Sequence, residues 1–238
     1  MSTALVFGGS RGIGAACVHA LAQDGFDVAY TYVTKPGAFS DTQNQRRCAG
    51  YAADVQSPEQ VAAVFASVHR DFGEEPDCVV ANAGINVPPS PLAQFSTENF
   101  RQLVEVNIVG AFNVLREAAR HVKDGGTIIA ITTSLVRYAA PGIGPYSATK
   151  AAVECLVRSL AKELAPRKVR VNAVAPGPVD TDLFRAGKGP EALQRSAAMS
   201  PFNRVGEPAE IAAVVSFLAS GQASWVHGQI VQPNGGLV

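Results

Sequence analysis

Long apolar runs are missing from this chain. No stretch of about eighteen consecutive apolar residues occurs, which excludes a hydropathic membrane-spanning helix. Nor is there an excess of charge of either sign: 20 Lys and Arg stand against 20 Asp and Glu. Without a basic stretch or a charged block, neither a nucleic-acid partner nor a charged tail is expected. Cysteine is sparse, and no two of Cys17, Cys48, Cys78 and Cys155 form a CxxC pair. Scattered within predicted elements, they read as core thiols of a reduced, cytoplasmic protein. His19, His69, His121 and His227 are equally isolated, so no metal site is expected. Met1-Ser2-Thr3 runs straight into strand-like Ala4-Leu5-Val6-Phe7, which leaves no room for a signal peptide. What is abundant is apolar: 47% of the 238 residues are hydrophobic, enough for one sizeable core.

Short apolar runs alternate with longer helical patterns. Strands are predicted at 4–7, 27–33, 50–53, 77–81, 127–132, 169–175 and 229–232. Helices are predicted at 12–24, 57–72, 96–121, 145–165 and 207–219, with a weaker one around 40–48. Runs such as Cys78-Val79-Val80-Ala81 are apolar on both faces, as strands of a helix-covered parallel sheet are. The alternation predicts an α/β protein of the Rossmann type. Its doubly wound, seven-stranded parallel sheet would carry helices on both faces in one domain, 1–238.

Two motifs carry chemistry. After the first strand comes Phe7-Gly8-Gly9-Ser10-Arg11-Gly12-Ile13-Gly14, a GxxxGxG pattern opening a helix. Gly8 permits a sharp turn, Gly12 lets the backbone approach a diphosphate, and Gly14 lets helix and strand pack closely. The free N–H groups of the helix start would face the anion. Further on, Tyr146-Ser147-Ala148-Thr149-Lys150 places a phenol and an ammonium on one helical face. A nearby cation favours phenolate and should draw the Tyr pKa down from about 10. Alone, such a pair arises readily by chance.

Together, in this order and spacing, these motifs resemble the short-chain dehydrogenase/reductase family over about residues 4–236. Ala81-Asn82-Ala83-Gly84 is similar to the family's NNAG after the fourth strand, and Asp54-Val55 to its adenine contact. Asn107 falls at the catalytic-relay Asn, and Pro176-Gly177-Pro178-Val179-Asp180-Thr181 at the segment flanking the nicotinamide. The resemblance implies a dinucleotide held by Gly8, Ser10, Arg11, Gly12, Ile13, Gly14, Asp54, Val55, Asn82, Ala83, Gly84, Tyr146, Lys150, Pro176, Gly177, Val179 and Thr181. It implies a ketone reduced to a secondary alcohol, with Tyr146 as general acid, Lys150 lowering its pKa, and Asn107 anchoring a relay water. A lid over about 182–201 follows, with Ile85, Phe184 and Met199 as substrate walls. A homotetramer or dimer built through the fourth and fifth helices is implied as well. Overall pattern is nearest to 3-oxoacyl-carrier-protein reductases. The single Lys in His121-Val122-Lys123-Asp124 is a poor docking patch for an acidic carrier, so other small apolar carbonyl compounds fit as well.

Three departures stand out. Phe7 replaces a usual Thr, which removes a hydrogen bond near the cradle. Ala81 replaces the first Asn of NNAG. The substrate-binding hydroxyl is Thr133 by its spacing of thirteen from Tyr146, or Ser134 by residue type. No carboxylate stands at the tip of the second strand, Tyr30-Thr31-Tyr32-Val33-Thr34-Lys35. Arg11 and Lys35, with Ser10 and Thr34, resemble instead the 2′-phosphate site of NADP-preferring members. NADPH is therefore expected over NADH. The competing reading is a catalytically weak protein that binds a nucleotide or small ligand on the same fold.

Overall fold

A computed structural model describes residues 2–39 and 46–238. Seven strands form one parallel sheet: β1 (Thr3–Phe7), β2 (Asp27–Tyr32), β3 (Cys48–Ala52), β4 (Cys78–Ala81), β5 (Thr127–Ile131), β6 (Arg170–Val174) and β7 (Ile230–Val231). Their order is β3-β2-β1-β4-β5-β6-β7. Winding thus starts at β1, runs outward to β3, and restarts at β4 on the other side. A crevice opens where neighbouring strands send their chains apart, here beyond the ends of β1 and β4.

Both faces are covered because the central strands are apolar throughout. Along β1, Leu5 and Phe7 enter one core and Ala4 and Val6 the other. The first core is closed by α2 (Pro58–Phe72), α4 (Ala111–His121) and α6 (Gly144–Leu164), which follows the short α5 (Leu135–Tyr138), through Phe65, Leu115 and Val157. The second is closed by α1 (Gly12–Gln23) and α9 (Pro208–Ala219), through Leu21, Ile211 and Leu218. No helix among the described residues is long and apolar enough to cross a membrane.

The predicted helix over 96–121 is interrupted. It runs as α3 (Thr97–Val104), a wide π-type turn over Glu105–Gly110, and then α4. Two contacts from distant segments account for the break. Asn107 captures the backbone of Ile85. Gly110 lies so close to Val55 that a Cβ there would come within 2.6 Å of its side chain. The weak helix around 40–48 lies mostly outside the described residues, and Cys48 opens β3 instead. Cys17 and Cys78 are core thiols as expected, whereas Cys155 is exposed and Cys48 only partly covered.

Candidate active site

The glycine loop sits at the crevice. Gly8 and Gly12 take positive φ values of 73° and 55°, where a side chain would be strained. A Cβ on Gly8 would lie 2.9 Å from the Ala83 backbone, and one on Gly14 only 2.1 Å from the Gly8 carbonyl oxygen. Loop, helix α1 and the end of β4 are therefore pressed together without side chains between them. Asn82 fixes the loop from β4, its Nδ2 donating to the Gly8 carbonyl at 2.9 Å.

The hydrogen bond expected to be lost at Phe7 is replaced from the neighbouring strand. Thr31 Oγ1, buried in β2, accepts from Gly8 N at 2.9 Å. The sequence carried a signal for this: Thr31 is a polar residue within an otherwise apolar inward-facing strand. Helix α1 also starts uncapped, since Arg11 makes no side-chain bond to its first turn. By contrast, Ser57 caps α2 and Ser96 caps α3. The free N–H groups and flat glycine backbone fit the diphosphate of a dinucleotide. Asp54 and Val55 lie beyond β3; the Asp54 carboxylate accepts from Gln56 N and the Val55 carbonyl from Asn113.

Arg11 on the loop and Thr34 and Lys35 past β2 are exposed, and they follow the ends of adjacent strands. Neither cation is engaged in an ion pair among the described residues. Two exposed positive charges at this edge suit a phosphate.

Tyr146 and Lys150 lie on α6, against the end of β5. The Lys150 ammonium is buried and donates to the Ile131 carbonyl at 3.0 Å. Burial pushes the Tyr146 phenol up to about 12 and Lys150 down to about 8. This corrects the expectation that the ammonium draws the phenol down. Desolvation opposes charge on both groups, and one N–H of the Lys150 ammonium donates to the Ile131 carbonyl. Gly84 marks the meeting point of the parts: a Cβ there would lie 3.1 Å from both Asn107 Oδ1 and Lys150 Nζ. Asn107 Oδ1 accepts from Ile85 N at 2.9 Å, while its Nδ2 donates to the Ile85 carbonyl at 3.0 Å and to Thr149 Oγ1 at 3.2 Å. Its side chain thus ties the Ile85 backbone to Thr149, and Oδ1, with one donor in these bonds, keeps a second acceptor site.

The two candidate hydroxyls part company. Ser134 is fully buried; its Oγ donates to the Ala175 carbonyl at 2.7 Å and accepts from Asn234 Nδ2 at 3.1 Å. Thr133 Oγ1 accepts only from Leu135 N, at 3.3 Å. Its proton has no acceptor among the described residues. Pro176, Gly177, Val179 and Thr181 continue from β6 along the crevice. Gly177 N donates to the Pro233 carbonyl at 3.2 Å, and Val179 pairs with Gly206.

Past Thr181 the chain forms two short helices, α7 (Asp182–Arg185) and α8 (Pro190–Ala198). Thr181 caps α7 through Phe184 N at 3.1 Å, and Arg185 pairs with Asp180. Phe184 and Met199 are partly covered, but one face of the Phe184 ring is taken by the Lys188 ammonium, 4.0 Å from its centroid.

Residues 8–238 match a family profile described as enoyl-(acyl carrier protein) reductase. An NADPH-dependent aldehyde reductase-like chloroplastic protein of Arabidopsis thaliana is 40% identical over 252 residues, covering 99% of this chain and 93% of that protein. Versicolorin reductase 1 of Aspergillus parasiticus is 39% identical, covering 98% and 95%. Among solved structures, a short chain dehydrogenase from Burkholderia cenocepacia J2315 in complex with NADP superposes with a TM-score of 0.89. It is 31% identical, with 99% of this chain and 97% of that one covered.

Proposed function

This chain is an oxidoreductase of the short-chain dehydrogenase/reductase family, and from that premise we propose that it reduces a small, mostly apolar carbonyl compound to an alcohol with NADPH. The observation that carries the reading is the convergence at Gly84, just past β4, where a Cβ would lie 3.1 Å from both Asn107 Oδ1 and Lys150 Nζ. A bound NADPH supplies the hydride.

The rest is done by the protein. Thr133, whose proton is uncommitted, donates to the carbonyl oxygen and orients it. Tyr146 gives its proton to the oxygen as negative charge develops there. A phenol pushed up to about 12 is fully protonated at neutral pH, which is the form a general acid needs. Lys150, at about 8, exchanges protons with solvent near neutrality and can refill the phenol. Asn107 holds the Ile85 backbone and the α6 register through Thr149, so the relay keeps its spacing. Arg11 and Lys35, with Ser10 and Thr34 as hydroxyl donors, receive the 2′-phosphate. Ile85, Phe184 and Met199 line the substrate side. Exposed Phe100 and Phe112, on α3 and α4, support assembly of like chains through these helices.

Tyr146→Phe tests the reading. NADPH oxidation should fall by about a hundredfold to ten-thousandfold, while NADPH affinity stays within about twofold of the unaltered protein. The assay uses an aldehyde, a diketone, a quinone and an acyl thioester in parallel. Retained turnover in this variant refutes the role of Tyr146. Equal titration affinities for NADPH and NADH refute the role of Arg11 and Lys35.

A further inference from the structure

Behind the proposed substrate hydroxyl lies a buried polar tie that joins three segments far apart in sequence. Ser134 N donates to the Pro176 carbonyl at 2.9 Å, and Ser134 Oγ to the Ala175 carbonyl at 2.7 Å. On the other side, Asn234 Nδ2 donates to Ser134 Oγ at 3.1 Å. The Asn234 Oδ1 accepts from Gly236 N at 3.0 Å and Leu237 N at 3.1 Å. Both side chains are buried, Ser134 at 0% exposure and Asn234 at 9%. Packing closes the arrangement: a Cβ on Gly177 would lie 2.9 Å from Asn234 Cα.

The chain between these anchors contains Thr133. Thr132 N is held by the Val174 carbonyl at 2.8 Å, and Ser134 by residues 175 and 176. Thr133 is therefore clamped on both sides. The side-chain half of the clamp needs the Ser134 hydroxyl to point at Ala175, the direction that the amide of Asn234 leaves to it. A hydroxyl that accepts from an N–H donor must aim its own proton elsewhere.

We infer that Asn234 is a positioning residue for the proposed reaction, acting through Ser134 to hold the Thr133 hydroxyl and the Pro176–Gly177 segment in register. The inference rests on the reading of Thr133 as the hydroxyl that meets the substrate. Asn234→Asp separates this role from the residue's local one. A carboxylate still accepts from Gly236 N and Leu237 N, but it has no donor for Ser134 or for the Val238 carbonyl, 3.5 Å from the present Nδ2, whereas Ser134→Ala leaves that second bond in place. The Ser134 proton then turns toward the carboxylate and leaves Ala175.

The test measures NADPH oxidation with diacetyl in Asn234→Asp, Ser134→Ala, Thr133→Ala and the double variants. Small displacements of a reacting group cost up to about a hundredfold. In Asn234→Asp and in Ser134→Ala, kcat should therefore fall by about tenfold or more, with KM changed less. In the Thr133→Ala background, the further loss from Asn234→Asp should shrink to within about twofold, because both act on one group. In the protein without cofactor, amides of 132–136 and 175–178 should exchange hydrogen faster in both single variants. Full additivity with Thr133→Ala, or unchanged exchange in these segments, overturns the role of Asn234. Full activity in Thr133→Ala instead overturns the underlying reading of that hydroxyl. Ser134→Ala reports on the same bond if Asn234→Asp fails to fold.

Discussion

The two sides of the crevice are held by different physics. On the cofactor side, glycines, backbone and buried hydroxyls meet at distances that leave no slack. Gly14 has no space for a Cβ, and Thr31 and Asn82 take up the polar groups of the loop. On the substrate side, residues 181–205 are mostly exposed and are fastened by surface ion pairs, Arg185 with Asp180 and Arg204 with Glu210. The first arrangement excludes alternatives sterically. The second is tied at its ends by the pairing of Val179 with Gly206 and further along by buried Ser200, whose Oγ donates to the Gly235 carbonyl at 2.6 Å, while α7 and α8 between them are mostly exposed. A reductase needs this asymmetry if one cofactor is to be bound tightly while substrates enter and products leave.

The largest effect should come from breaking the tight side. A Gly14→Ala methyl would sit 2.1 Å from the Gly8 carbonyl oxygen and 2.6 Å from Asn82 Nδ2. Overpacking in a core costs about 1–3 kcal/mol when side chains can move. Here one neighbour is backbone, so helix α1 must shift away from the cradle. NADPH binding measured by calorimetry should be lost, and the melting temperature should drop. Unchanged affinity would show that the close approach is not what shapes the diphosphate site.

How much of this was legible beforehand divides along the same line. Steric constraints leave marks in sequence. A Cβ has no room at 8 and 14, a positive φ favours glycine at 12, and the apolar runs of β1, β4 and β5 announce a covered parallel sheet. Constraints made by a distant partner leave weaker marks. Nothing between 96 and 121 says that Asn107 will reach Ile85 and widen the helix there, because the cause lies 22 residues away. Thr133 and Ser134 are indistinguishable hydroxyls until Ala175 and Asn234 claim one of them. The direction of the Tyr146 shift depends on how deep α6 is buried, which a YxxxK spacing does not encode.

Lys150 should give the next effect, in stability as well as activity. Burial lowers it from 10.5 to about 8, so at neutral pH the folded state carries a charged amine where desolvation disfavours it. A shift of that size corresponds to about 3 kcal/mol. The unfolded chain binds more protons than the folded one between pH 8 and 10.5, and stability should therefore rise with pH across that window. Lys150→Met should abolish turnover, raise the melting temperature at pH 7 and flatten that rise. The lost bond to Ile131 offsets part of the gain. A lower melting temperature together with an unchanged pH slope would mean that the ammonium stabilises the fold.

Thr31→Val probes the replacement for the hydroxyl missing at Phe7. The shape is kept, but Gly8 N loses its partner at a partly buried position. An unsatisfied buried N–H costs about 1–3 kcal/mol. NADPH affinity should weaken by about tenfold, with kcat at saturating cofactor nearly unchanged. Equal affinity would mean that the loop keeps its shape without help from β2.

Arg185→Ala should give the smallest change in stability and the most specific change in function. The Arg185–Asp180 pair is exposed on the arginine side and open to solvent, where ion pairs are screened and contribute little to folding. Melting temperature should not move measurably. Yet the pair fixes α7 to the segment that leaves β6, and α7 carries Phe184, proposed above as a substrate wall. Freed at that end, the 181–205 segment should sample more arrangements. KM for the carbonyl compound should rise severalfold, and kcat should rise if lid opening limits turnover. Added salt should mimic the substitution in the unaltered protein and have no further effect on KM in the variant. If salt raises KM equally in both, the lid is held by its apolar contacts. The two sides of the crevice would then differ in tightness of packing and share one kind of force.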